Sequence, residues 1–191
     1  MLRKIILTGT TSSGKSSVIK QMEERGYLVL PEVAREVIKQ RAENKITPEE
    51  ILIRQYEMSL LQILQESNLE KKAIGSEVCF LDRSVVDNLA YCSLYFSYYP
   101  YGIQEVAKSR NYSRQVFLFD PLPFVPDGVR IEDPETVIKI HNELIVTYTR
   151  LGYSIISVPV IGSYDAQESI KKRADFILDH CEKIKRGDYG P

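Results

Sequence analysis

Gly9-Thr10-Thr11-Ser12-Ser13-Gly14-Lys15-Ser16 reads Gly-x-x-x-x-Gly-Lys-Ser, the full P-loop pattern. The flanking residues supply the setting that the pattern needs. Lys4-Ile5-Ile6-Leu7-Thr8 before it is a short run of buried-strand type, and Ser16 to Arg25 after it carries Val18, Ile19 and Met22 at helical spacing. Strand, glycine-rich turn and helix in that order converge backbone N–H groups on one phosphate and aim a helix N-terminus at it. Lys15 then reaches the β- and γ-phosphates, and the Ser16 hydroxyl serves as a ligand for Mg²⁺. Gly9 through Ser16, with Ser17 beside them, are the expected contacts of a nucleoside triphosphate and its Mg²⁺. The competing reading is a βα turn that binds nothing; the Lys-Ser pair in register after a strand speaks against it.

At 191 residues the chain is long enough for one domain with a real core and short for two. Residues 1–185 are expected to form that domain, with 186–191 as a mobile tail. A net charge of −1 gives no global attraction to nucleic acid or an anionic membrane, so neither is an expected partner. Cys79, Cys92 and Cys181 lack metal-ligand spacing and are odd in number; they read as reduced, mostly buried thiols of a cytoplasmic protein. Arg3-Lys4 followed by Ile5-Ile6-Leu7 is no secretory signal, and no apolar run approaches the length of a membrane span. The expected assembly is a monomer or a homodimer.

Beyond the first helix, Gly26 marks a stop and Tyr27-Leu28-Val29-Leu30 reads as a second buried strand, ended by Pro31. A helix is predicted from Glu32 to Lys39, with Glu32 and Arg35 on one face. Just past a strand end they are placed either to meet a ligand or to pair on the surface. Thr47-Pro48-Glu49-Glu50 is a strong helix start, and that helix runs to about Lys72. Its predicted apolar stripe is Ile51, Leu52, Tyr56, Ser59, Leu60, Ile63 and Leu64, with Gln55, Gln62, Gln65 and Glu66 on other faces.

Val78-Cys79-Phe80-Leu81 is a third strand that ends at Asp82-Arg83-Ser84. An apolar strand ending in Asp is the Walker B pattern, so Asp82 is expected to hold Mg²⁺ directly or through water. Arg83 contacts a phosphate or pairs with a local carboxylate. Asp87, near the start of a helix from Val85 to Tyr95, either caps that helix or faces the acceptor. The aromatic run Tyr95-Phe96-Ser97-Tyr98-Tyr99-Pro100-Tyr101 is either a stacking platform or a packing knot.

Gln115 to Phe119 is a fourth strand, opening onto a loop of about 120–134 with three prolines and a glycine between Asp120 and Arg130. Loops of this length are often lids, and Arg130 is the expected lid arginine that neutralises γ-phosphate charge. A helix from Pro134 follows, carrying His141, read as structural. Tyr153 to Val160 holds a fifth strand and its exit loop. The last helix, from about Tyr164 to Lys183, offers Arg173 to the nucleobase region.

On these stretches the chain resembles a P-loop family of AAA-domain, NadR-like ATPases, which includes a ribosylnicotinamide kinase domain and relatives thought to bind GTP and phosphoinositides. The resemblance rests on Thr8-Gly9 to Ser16-Ser17, Gly26-Tyr27 through Pro31-Glu32-Val33-Ala34-Arg35-Glu36, Leu81-Asp82-Arg83 with Asp87-Asn88-Leu89-Ala90-Tyr91, and Pro121-Leu122-Pro123 with Asp127-Gly128-Val129-Arg130. Asp82-Arg83-Ser84 is also similar to the corresponding element of deoxynucleoside and thymidylate kinases. The resemblance implies a three-layer α/β P-loop fold of nucleotide-kinase type, with a five-stranded parallel sheet in order 2-3-1-4-5. It implies roles for Glu32, Arg35, Asp82, Arg83, Asp87 and Arg130, with the acid after strand two and the Asp-Arg pair after strand three facing a phosphate acceptor.

The expected activity is transfer of the γ-phosphoryl group of Mg-ATP to a small nucleoside-like acceptor. Lys15, Mg²⁺ and Arg130 stabilise the transferring group, Glu32 or Asp82 orients or deprotonates the acceptor hydroxyl, and Arg35 and Arg83 bind the acceptor. Asn44-Lys45-Ile46-Thr47 stops short of the Asn-Lys-x-Asp guanine-reading motif, which favours ATP while leaving GTP open. The alternatives are a nucleotide-dependent switch or slow NTPase acting on a partner, and a phosphoinositide- or protein-binding module. The second of these would use Lys171, Lys172, Arg173, Lys183, Lys185 and Arg186, which at this net charge read as a solvated helix face.

Overall fold

The computed structural model describes residues 2–11, 13–33, 47–73, 75, 77–122, 133–162 and 167–186. Ser12, Arg35, Arg130, most of the predicted lid loop, the helix predicted after Val33 and the tail from 187 onward lie outside the described residues.

Five parallel strands form one sheet in the order β2-β3-β1-β4-β5, as the family resemblance implies: β1 Arg3–Gly9, β2 Leu28–Leu30, β3 Val78–Asp82, β4 Tyr112–Phe119 and β5 Ser154–Val158. The central strand β1 shows why both faces are covered. Its side chains alternate in direction, and both sets are apolar over most of its length. Ile5 and Leu7 pack with Phe80, Phe117 and Phe119 beneath α1 (Lys15–Glu24) and α6 (Gln167–Arg186), which contribute Val18, Met22, Ala174 and Ile177. Ile6 faces the opposite way, into a core with Leu81, Val116 and Leu118. That core is closed by α3 (Val85–Phe96), α4 (Tyr101–Ser109) and α5 (Pro134–Arg150), with α2 (Pro48–Lys72) against α3.

Most element boundaries fall within three residues of those predicted. Helix α2 starts with the predicted capping box: Thr47 accepts from the Glu50 backbone N–H, and the Glu50 carboxylate accepts from the Thr47 N–H at 2.8 Å. Helix α4 was not foreseen. Pro100 ends the aromatic run and opens a helix whose inward residues, Ile103 and Ala107, are four apart. In the aromatic run Tyr95, Tyr98 and Tyr101 are exposed. Phe96 lies between the Tyr95 and Tyr98 rings, and Tyr99 shares a hydrogen bond with Thr147 beneath the Arg150 guanidinium.

The face of α2 is a correction. Of the predicted stripe, Ser59 is buried and Leu52 and Ile63 pack against the core, but Tyr56, Leu60 and Leu64 are exposed, Leu60 at 65%, and Gln55, Gln62 and Glu66 point inward with Ser59. The inward polar set recurs at i, i+4, i+7 and i+11, which is itself a helical stripe. Its burial is balanced by partners. The Glu66 carboxylate, fully buried, accepts from Lys4 at 3.0 Å, Arg110 at 2.8 Å, Tyr112 at 2.7 Å and Gln62 at 3.0 Å. A buried carboxylate is tolerated only when compensated in this way.

Candidate active site

Two pieces of backbone geometry fix the P-loop. Gly9 ends β1 at φ 144°, and a Cβ there would sit 3.0 Å from the Phe119 carbonyl oxygen of β4. Gly14 precedes α1 at φ 81°, and a Cβ there would sit 2.3 Å from Arg173 Nη2. Glycine alone relieves both the dihedral and the approach. Lys15 is the first residue of α1, and its side chain folds back over the loop. Nζ donates to the Gly9 carbonyl at 3.0 Å, the Thr10 carbonyl at 2.8 Å and Ser13 Oγ at 3.2 Å. Burial, helped by the nearby Arg83 charge, lowers its pKa to about 8 against the pull of Asp82, Glu32 and Asp87. The Thr10 hydroxyl is buried in the same loop with no protein partner. Thr11, Ser16 and Ser17 are exposed along it.

Arg173 reaches this loop from α6. It is fully buried, donates from Nη1 to the Ser13 carbonyl at 3.0 Å and lies 5.5 Å from the Phe119 ring centre. Its Nε and Nη2 have no partner, and burial lowers its pKa. Arg173 thus braces the underside of the loop between Ser13 and Gly14.

Strand β3 brings Asp82 to the other side of the loop. The Ser16 hydroxyl donates to Asp82 Oδ2 at 3.4 Å, and Asp82 Oδ1 is buried with no partner. Burial raises the Asp82 pKa, partly opposed by Lys15. An orphaned carboxylate oxygen beside a hydroxyl, at the foot of a phosphate loop, fits Mg²⁺, which takes few protein ligands and completes its shell with phosphate and water. No cluster of three or more His, Cys, Asp or Glu side chains placed to hold a metal occurs among the described residues.

The next residue, Arg83, turns away from the loop. It has φ 72°, uncommon for a residue with a side chain, and its N–H extends the ladder by donating to the Leu7 carbonyl at 2.9 Å. Its Nε donates to Glu32 Oε1 at 2.8 Å, and Nη1 donates to Tyr91 Oη at 3.2 Å. Burial opposes the guanidinium charge, and Tyr91, Glu32, Asp87 and Asp82 together more than offset it. Glu32 stands two residues beyond β2, so its partner comes from 51 residues away in sequence. Glu32 and Arg83 therefore form one part-buried ion pair at the ends of β2 and β3, the pairing with a carboxylate being one of the two readings for Arg83.

Asp87 points inward. Its carboxylate accepts from Thr8 Oγ1, from the Ser84 backbone N–H at 2.8 Å and from the Tyr148 hydroxyl at 2.6 Å, and it is 3.9 Å from Arg83. It is 1% exposed and completes the capping box of α3 with Ser84. The structure therefore gives Asp87 the capping position and directs it toward Arg83.

Sequence reasoning missed the wall opposite Arg83. Gln62 and Met58 of α2 and Asn88 of α3 line a crevice with Glu32, Asp82 and Arg83. The helical spacing of Gln55, Ser59 and Gln62 was the available signal. His141, the histidine predicted to be structural, sits half-buried on α5, and burial lowers its pKa.

Comparisons with known proteins agree with this fold. The family described as an AAA domain is matched over residues 4–167. The fold is similar to NadR protein in complex with NR, with a TM-score of 0.69 at 15% identity over 93% of this chain and 50% of that one. It is similar to thymidylate kinase from Ehrlichia chaffeensis, with a TM-score of 0.62 at 13% identity over 94% of this chain and 98% of that one. It is also similar to deoxyadenosine kinase from M. mycoides, with a TM-score of 0.62 at 14% identity over 94% and 99% of the two chains. The chain spans about half the length of the NadR chain. No curated protein sequence matches it significantly. No described helix is long and apolar enough to cross a membrane.

Proposed function

The chain belongs to the AAA-domain family, and from that premise we propose that it transfers the γ-phosphoryl group of Mg-ATP to a small nucleoside-like acceptor. The observation that carries this reading is the split at the end of β3. Asp82 serves the phosphate loop, and Arg83 beside it turns toward Glu32 on the opposite side. A protein that only hydrolysed or sensed a nucleotide would have no evident use for a second, charge-lined side. The structurally similar thymidylate and deoxyadenosine kinases, and the NadR structure holding NR, point the same way.

In this reading Lys15 exchanges its loop carbonyls for the β- and γ-phosphate oxygens. Ser16 and Asp82 hold Mg²⁺, whose charge neutralises the phosphates when bound. Thr10, Thr11, Ser12, Ser13 and Ser17 line the nucleotide side, and Arg173 fixes the loop from beneath. Glu32 accepts the proton of the attacking hydroxyl, Arg83 and Arg35 hold the acceptor, and Asp87 keeps Arg83 in position. Arg130 closes from the lid loop on the transferring group. Phosphoryl transfer needs mainly positioning and charge stabilisation, which these residues supply. ATP is favoured over GTP, and the three buried thiols suit a cytoplasmic enzyme.

The test is ADP formation from Mg-ATP with and without a panel of nucleosides, nicotinamide riboside included, with Lys15→Ala as control. Turnover is expected to depend on the acceptor and to vanish in the variant. Slow turnover indifferent to every acceptor would overturn the kinase reading in favour of a nucleotide-operated switch.

A further inference from the structure

Buried positive charges in this protein come with carboxylates, and Arg173 is the exception among the described residues. Lys4 pairs with Glu66 at 3.0 Å and with Glu70 at 2.8 Å, and Arg83 pairs with Glu32 at 2.8 Å. Lys15 lies in the field of Asp82, Glu32 and Asp87. Arg173 is fully buried and forms no ion pair with a described carboxylate, and burial alone acts on its charge. Asp175, two residues further along α6, turns to Arg25 at 2.5 Å. One turn before Arg173, where a Glu would neutralise it, stands the buried Ser169. A guanidinium keeps its proton inside proteins, so the charge stays. Burying it without a counter-ion costs stability.

The charge is set against one peptide of the phosphate loop. Nη1 donates to the Ser13 carbonyl at 3.0 Å, and Nη2 lies 2.3 Å from where a Cβ on Gly14 would sit. In a trans peptide C=O and N–H point opposite ways, so the grip on the Ser13 carbonyl turns the Gly14 N–H away from Arg173. Nε and Nη2 remain without a partner. We propose that Arg173 is a positioning residue of the phosphate site that acts by charge, the bound phosphates being the counter-ion that the empty protein lacks. This rests on the phosphate site of the kinase reading above and assigns Arg173 to the polyphosphate of ATP in place of its base. Only one peptide separates the guanidinium from the loop N–H groups, and a buried charge at that range is poorly screened.

The test measures Kd for Mg-ATP and for inorganic pyrophosphate, and the melting temperature without ligand, in wild type, Arg173→Gln and Arg173→Met. The Gln variant keeps an N–H for the Ser13 carbonyl and removes only the charge. Both variants should lose about tenfold or more in affinity for ATP, and a similar factor for pyrophosphate. Without ligand, Arg173→Met should melt at or above the wild-type temperature, because an apolar side chain relieves the unpaired charge. Wild-type affinity in both variants would overturn the proposal. So would a loss confined to ATP, which marks a contact to the base. A Met variant that melts well below wild type, or fails to fold, would overturn it too, since the charge would then be holding the empty protein together. None of these readouts needs turnover. A wild type that binds both probes yet phosphorylates no nucleoside would overturn the kinase reading, with the role of Arg173 still decided by binding. A wild type that binds neither probe would overturn both.

Discussion

Lys15 carries the sharpest consequence at the scale of single residues. Burial first, and Arg83 second, bring its pKa to about 8 in the ligand-free protein. Phosphate binding favours the ammonium form, so above pH 8 the protein must take up a proton to bind ATP. Affinity should be flat below about pH 8 and then weaken with rising pH; calorimetry in buffers of different ionisation enthalpy should show proton uptake. The same shift has the opposite sign for stability. The unfolded chain keeps the proton that the buried amine sheds, so this group adds stability as pH climbs from about 8 toward the ordinary lysine value. Arg83 gives a second prediction. Arg83→Lys keeps the charge but loses the planar fork that meets Glu32 and Tyr91 together, so kcat/KM for the acceptor should fall by about a hundredfold or more. The Kd for ATP should move little. The P-loop residues and Asp82 were legible because backbone chemistry ties them to a local pattern. The Glu32–Arg83 pair was not legible in spacing, because the contact crosses 51 residues; only the family resemblance set both residues toward one acceptor.

Helix α2 shows what periodicity leaves undecided. Its sequence holds apolar and polar residues at helical spacing, and the structure turns Gln55, Ser59, Gln62 and Glu66 inward beside Met58, Leu52 and Ile63 while Leu60 and Leu64 face out. The deciding partners, Lys4 on β1 and Arg110 and Tyr112 near the start of β4, come from far along the chain. Glu66→Leu should therefore destabilise the protein by about 3–5 kcal/mol in urea titration, because it removes the buried carboxylate shared by Lys4, Arg110, Tyr112 and Gln62 and leaves Lys4 only the partly exposed Glu70 at 2.8 Å. Glu105→Ala, which breaks an exposed pair with Lys108, should cost less than about 1 kcal/mol. Thr47→Ala removes the side-chain half of a legible capping box and should cost about 1 kcal/mol without changing the chemistry. Helix α4 escaped notice because Pro100 and Gly102 look like breaks; Pro100 instead stands at its N-cap, where its lack of an N–H costs nothing.

The whole molecule is a parallel sheet with both faces covered, and this sets the state of its thiols. Cys79, Cys92 and Cys181 are all buried, and burial pushes each up to about 12. The native protein should resist thiol reagents at pH 8 and release all three cysteines on denaturation; rapid labelling of the native form would show that the core opens readily. Composition and periodicity were enough to find five strands. Their order came from the family resemblance, since nothing in a strand's own residues names its neighbours. The split site follows from that order. With β3 between β1 and β2, Asp82 and Arg83 fall at one strand end with the phosphate loop on one side and Glu32 on the other.

That split is tested most directly by following the γ-phosphate of labelled ATP. With an acceptor nucleoside present, the label should appear on the nucleoside, and Lys15→Ala should abolish its transfer. Label released only as inorganic phosphate, at the same rate with or without any acceptor, would contradict the account.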